Sequence, residues 1–96
     1  MRVVYHPDAA EELVESAQFY ESRVPGLGSE FLDEIDRAVT LIASAPEQYV
    51  LVRGNIRRFS IKRFPYAIYY RILPGVLRVL VIKHHSRHPD LGMDRT

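Results

Sequence analysis

Ninety-six residues, 47% hydrophobic and 26% charged, suit one hydrophobic core and exclude disordered, fibrous and multidomain classes. The lack of cysteine argues against a disulfide framework or a thiolate metal site and for a reducing, cytoplasmic setting; no apolar run suits a signal peptide or approaches the ~20 residues of a membrane span. The net charge of +1 conceals a division, since residues 1–48 carry three arginines against ten acids (−7) and residues 49–96 carry ten lysines and arginines against Asp90 and Asp94 (+8).

Residues 1–5 include the β-prone stretch Arg2-Val3-Val4-Tyr5, which His6-Pro7-Asp8 breaks before a helical period begins. Ala10, Leu13, Val14, Ala17, Tyr20 and Val24 recur at three- and four-residue steps, predicting an amphipathic helix over 7–23 with Pro7 and Asp8 in its first turn. Pro25-Gly26-Leu27-Gly28 ends it. Ser29 is placed to cap a second helix over 29–45, whose stripe of Phe31, Leu32, Ile35, Ala38, Val39, Ile42 and Ala45 runs up to Pro46. So short a connection makes the two helices antiparallel.

After Pro46 the period falls from 3.6 to 2, and residues 50–85 read as antiparallel strands. In Arg58-Phe59-Ser60-Ile61-Lys62 the apolar residues alternate with polar ones, placing Arg58 and Lys62 on the face away from the core. Ala67 to Ile72 forms the next strand, and Pro74-Gly75 is a turn dipeptide leading into the last. There Val79-Leu80-Val81-Ile82 lacks alternation, as in a strand covered on both faces near the middle of a sheet. Residues 86–96 read as coil. The order β-α-α-β-β-β defines an α+β domain, an antiparallel helical hairpin packed on a small, mainly antiparallel twisted sheet.

No phosphate-cradling glycine loop, His-Glu-x-x-His pattern or Gly-x-Ser-x-Gly turn is present. The residues able to do chemistry gather in the basic half: Arg57, Arg58, Lys62 and Arg63, then Arg71, then Lys83-His84-His85-Ser86-Arg87-His88. A metal site is not expected, because adjacent His84 and His85 point to opposite faces of a strand and no nearby acid completes a ligand set. Metal-independent RNA cleavage needs a base, an acid and a cation at the phosphate; His84 or His85 suits the proton roles, and Arg58 and Arg87 the cationic one. The same residues on an exposed sheet also suit plain binding of an anionic partner, with Tyr66, Tyr69 and Tyr70 available for stacking or for core packing. A third reading is that the helices carry acids on their wet faces and the two halves simply neutralise each other.

The segment Arg57-Arg58-Phe59-Ser60-Ile61-Lys62-Arg63-Phe64-Pro65-Tyr66-Ala67-Ile68-Tyr69-Tyr70-Arg71, followed by Val79-Leu80-Val81-Ile82-Lys83-His84-His85-Ser86-Arg87-His88-Pro89, resembles the RelE/ParE toxin superfamily and its ParE-like plasmid stabilisation branch. The Pro-x-Ala opening of the first helix, Phe31-Leu32 and Ala45-Pro46 agree with it. The resemblance implies a toxin of a type II toxin–antitoxin system: a monomer within a hetero-oligomer, using no cofactor and held by a cognate antitoxin whose C-terminal segment folds onto it. RelE-like members cut mRNA on the ribosome, and ParE-like members poison DNA gyrase without an evident catalytic site. Ala67 stands where the RelE-like branch has a phosphate-stabilising arginine. Arg87 matches another functional arginine of that branch, but no tyrosine follows it. These departures favour the gyrase-directed branch, with Arg57, Arg58, Lys62, Arg63, Arg71, Lys83 and Arg87 as target-binding residues. The alternatives are an mRNA interferase using His84, His85, Arg58 and Arg87, and an inactive relative that binds only antitoxin.

Overall fold

The computed structural model describes residues 1–96, in the order β1 (Arg2–Tyr5), α1 (Pro7–Arg23), α2 (Leu27–Ser44), a 3-10 turn (Pro46–Gln48), β2 (Val50–Arg53), β3 (Ile56–Ser60), β4 (Tyr66–Leu73) and β5 (Val76–His84). One sheet results, ordered β1-β5-β4-β3-β2, antiparallel except that β1 runs parallel to β5. The α+β architecture is the expected one, with a strand more than the pattern predicts. Val50-Leu51-Val52 shows no alternation because β2 is an edge strand exposed along its whole length. It joins β3 through Gly54-Asn55, where Gly54 takes the positive φ (+54°) that the tight turn requires.

The second helix begins at Leu27, so Ser29 lies inside its first turn and does not cap it. Glu21 of α1 takes that role from a distance: its carboxylate oxygens accept from Gly26 N at 2.9 Å and Gly28 N at 3.0 Å. A carboxylate there also meets the positive end of the α2 dipole. At Gly28 the two helices approach too closely for a side chain, since a Cβ on it would fall 2.6 Å from the Ala17 carbonyl oxygen.

The helices cover one face of the sheet, here called the inner face. Phe31, Ile35, Ala38, Val39 and Ile42 of α2 bury against Ile68, Tyr70, Leu77, Val79 and Ile82. At one end, Tyr20, Phe31, Phe64 and Tyr66 form an aromatic cluster with ring centroids 4.9–6.1 Å apart. Tyr66 and Tyr70 are therefore core residues rather than stacking platforms. The Tyr70 hydroxyl donates to the Pro46 carbonyl oxygen at 2.6 Å, and burial pushes its pKa up to about 12.

Strand β5, inside the sheet next to the short edge strand β1, is covered on both faces, as its unbroken apolar run requires. A bulge opposite Tyr69 and Tyr70 makes Leu80 the extra residue, and Leu80 and Val81 pack with Ile56 and Met93 on the outer face. Met93 comes from the segment that reads as coil. Residues 86–96 have no regular secondary structure, yet they fold back over β5 and form its second cover.

Candidate functional site

Arg58 faces outward because its strand partner is Tyr69, which in turn pairs with Val81 beneath the tail. Two residues along the same face, Ser60 lies opposite Ala67, and Ala67 opposite Lys83. Where β5 ends, the chain turns at His84-His85-Ser86 and brings His85 and Arg87 back over these positions. Arg58, Ser60, Tyr69, His85, Arg87 and Pro89 thus border a groove of about 230 Å³ on the outer face, with Lys83 and His84 also in its lining. No aspartate or glutamate borders it. Arg58 and Arg87 are exposed and have no ion-pair partner, so two guanidinium groups stand ready for an anion.

The other expected target-binding residues do not join them. Arg57, next to Arg58, faces inward by the alternation of the strand and donates to the carbonyl oxygens of Glu47 (2.9 Å) and Tyr49 (2.7 Å). It fastens the 3-10 turn to the sheet. Lys62 is carried past the end of β3 and stands with Glu34 and Arg37 of α2 in a separate depression. Arg63 pairs with Glu30 at 2.8 Å, a bond that raises its pKa, and Arg71 donates to Asn55 Oδ1 at 2.8 Å.

Lys83 departs furthest from expectation. It is 4% exposed, and its ammonium donates to the carbonyl oxygens of His88 (3.0 Å), Pro89 (2.9 Å) and Leu91 (3.0 Å) while lying 4.7 Å from the centre of the Tyr69 ring. Three donors meet three acceptors. This side chain is a fastener of the tail and not a free surface cation; desolvation lowers its pKa.

The histidines also separate. The His84 ring packs edge-on against Tyr66 at 5.3 Å, and its Nδ1 accepts from the backbone N–H of Ser86 at 3.0 Å. His88 makes the equivalent turn bond with Asp90 N, also at 3.0 Å. His85 is exposed and neither ring nitrogen is drawn into such a bond, leaving it the one histidine of the groove free at both nitrogens for proton transfer. No group of three or more His, Asp or Glu side chains is spaced to hold a metal ion.

Sequence reasoning missed Ser60 and Tyr69 as neighbours of Arg58. The two-residue step to Ser60 was legible, whereas Tyr69 depends on register. It also missed the pair formed by Glu12 of α1 and Arg95 of the tail. Arg95 donates twice to the Glu12 carboxylate (3.0 and 2.9 Å) and once to the Leu80 carbonyl oxygen (3.0 Å), and Glu12 accepts from Ile82 N at 3.1 Å. Ile82 lies beyond the last residue paired with β1, so a side chain supplies what the short edge strand does not.

A family model described as the ParE toxin of the type II toxin–antitoxin system parDE matches residues 3–89. The comparison with curated proteins gives no match. Among solved structures, the chain is similar to one from a chromosomal ParDE toxin–antitoxin system of P. aeruginosa, with a TM-score of 0.77 and 17% identity over 88% of this chain and 95% of that one. At that identity the likeness concerns the fold.

Proposed function

Because the chain belongs to the ParE toxin family of type II toxin–antitoxin systems, we propose that it arrests growth by binding DNA gyrase through its outer-face groove, in the cytoplasm, and that a cognate antitoxin neutralises it. The observation that carries the choice of target is the composition of the groove. Arg58 and Arg87 offer unpaired cations for docking, but no carboxylate borders the groove, and His84, with its Nδ1 accepting from Ser86 N and its ring packed against Tyr66, is held away from His85 as a partner for the two proton transfers of RNA cleavage. A cationic surface without a carboxylate suits binding better than transfer chemistry. Supercoiling by purified gyrase in the presence of the toxin tests this. Inhibition or trapped DNA cleavage at stoichiometric toxin is the expected result, and full supercoiling at saturating toxin overturns it.

A second reading has one observation in its favour: Arg58, His85 and Arg87 do share a single groove, the minimum for gripping a phosphodiester and moving one proton. On that reading, induced cells yield mRNA with new 5′ ends within codons. Intact transcripts together with inhibited gyrase decide for the first. Co-expression with a cognate antitoxin restores growth under either, and its failure to do so counts against neutralisation. Growth unaffected by the toxin alone leaves only the inactive, antitoxin-binding relative.

A further inference from the structure

Close packing and three polar fastenings hold the last eleven residues against the sheet. Gly92 (φ +80°) lies so close to β5 that a Cβ there would fall 2.4 Å from Val81 Cγ2. Arg95 is clamped by Glu12, and Asp90 pairs with Arg53 of β2, which lowers the Asp90 pKa. The third is Lys83, the only buried charged residue in the chain. A buried ammonium is tolerated only when its donors are satisfied, and here the acceptors are three carbonyl oxygens from within four residues of the tail. Those same residues follow Arg87 and include Pro89, which borders the groove.

We propose that Lys83 is the positioning residue of the groove: its ammonium gathers the 88–91 turn, and so sets where Arg87 and Pro89 stand relative to Arg58. The inference rests on the reading of the groove as the target-docking surface. It follows from geometry that a neutral side chain at 83 leaves three carbonyl oxygens facing an apolar stem, of which only that of His88 keeps another donor, the Leu91 N–H at 3.0 Å. The turn then relieves them by moving to water, which opens the groove on its Arg87 side without disturbing the helices, none of which touches these bonds. An arginine is no substitute, because its flat fork cannot direct three N–H groups at a tripod of carbonyls.

The test uses the full chain and exploits its lack of cysteine. Lys83→Met removes the charge at similar length. Lys83→Cys, aminoethylated while unfolded and then refolded, restores an ammonium at nearly the same reach. Amide hydrogen exchange reads tail and core separately, through Leu91, Met93 and Arg95, whose N–H groups close turns within the tail, and through paired residues of β4 and β5. In Lys83→Met the tail amides are expected to lose about 10- to 100-fold of their protection while the sheet keeps its own. Inhibition of gyrase weakens by at least about tenfold, and aminoethylation returns both. Unchanged tail protection in Lys83→Met overturns the proposal, as does equal loss in tail and sheet, which makes Lys83 an ordinary core residue. A freed tail with undiminished gyrase inhibition overturns the positioning role. If the unaltered protein does not inhibit gyrase, the reading of the target fails while the exchange result still decides what Lys83 holds.

Discussion

The two faces of the sheet are covered by different means. Inside, two helices contribute a continuous apolar cluster, and its few polar groups serve to close turns, as the Tyr70 hydroxyl does on Pro46. Outside, a short tail contributes one anchoring methionine and is otherwise held by charges: Lys83 on carbonyls, Arg95 on Glu12, Asp90 on Arg53. Apolar burial is non-directional and proportional to area, so it supplies stability without dictating where a given atom sits. Hydrogen-bonded charges add less net free energy but fix position, which is what the proposed docking surface of two arginines needs. The inner face makes the fold; the outer face places the groove.

The strongest challenge to that division is one substitution in the inner core and one at the ion pair by which α1 holds the tail. Phe31→Ala removes a fully buried ring from the aromatic cluster and is expected to cost about 3–5 kcal/mol, seen as a lower urea midpoint for the whole molecule. Glu12→Gln keeps the shape but leaves the Arg95 guanidinium, 14% exposed, with only the more distant Asp8 carboxylate at 3.9 Å as a countercharge, for a cost of about 1–2 kcal/mol. Its distinguishing mark is regional: exchange rises at Ile82 and through the tail before it rises in the helices. If Phe31→Ala loosened the tail first, or Glu12→Gln the helices, the two faces would not be separable.

The inner face was legible because burial there is written in spacing. The apolar steps of α1 and α2, the unbroken Val79–Ile82 run and the Pro74-Gly75 turn each follow from a local rule and are present, although Val14, Val24 and Leu32 of the expected stripes lie on the exposed side, because period alone does not say how wide the covered face is. The outer face was not, because it depends on which residues meet across the chain. Lys83 looks like any basic residue after an apolar strand; its burial comes from carbonyls five to eight positions later. Arg57 and Arg58 look interchangeable until the strand places them on opposite faces. Strand β2 escaped notice since an exposed edge of four residues imposes no alternation. Of the groove, Arg58, His85 and Arg87 were legible, and the register that adds Tyr69 was not.

A smaller effect probes the hydrogen bond that ties the 3-10 turn to the inner face. Tyr70→Phe removes only the hydroxyl, leaving the Pro46 carbonyl oxygen without its donor, and is expected to cost about 1 kcal/mol. The pH dependence has a definite sign. A phenol raised from 10.0 to about 12 in the folded chain binds its proton more tightly there than when unfolded, so its contribution is complete below pH 10 and is lost as pH rises towards 12. Tyrosine ionisation followed by ultraviolet absorbance in native protein therefore shows one residue titrating last, and Tyr70→Phe removes that final step. An unchanged titration would mean that the phenol is not the group held against ionisation.

The smallest expected change in stability carries the largest functional consequence. Arg58 and Arg87 are exposed and unpaired, and a surface side chain without a partner contributes within about 0.5 kcal/mol when removed. Arg58→Ala and Arg87→Ala should thus unfold at the unaltered midpoint, whereas inhibition of gyrase falls by at least about tenfold for each, since truncating a docking cation removes a contact at the interface and nothing inside the fold. Arg57→Ala is the control from the neighbouring position. It frees the carbonyl oxygens of Glu47 and Tyr49, lowers stability by about 1–2 kcal/mol, seen as a lower midpoint, and leaves inhibition intact wherever the protein is folded. Two adjacent arginines, identical in the sequence, then differ in both measurements and in opposite directions. Equal behaviour of the pair would mean that strand alternation does not decide which cations reach the target, and the groove would lose its claim to be the docking surface.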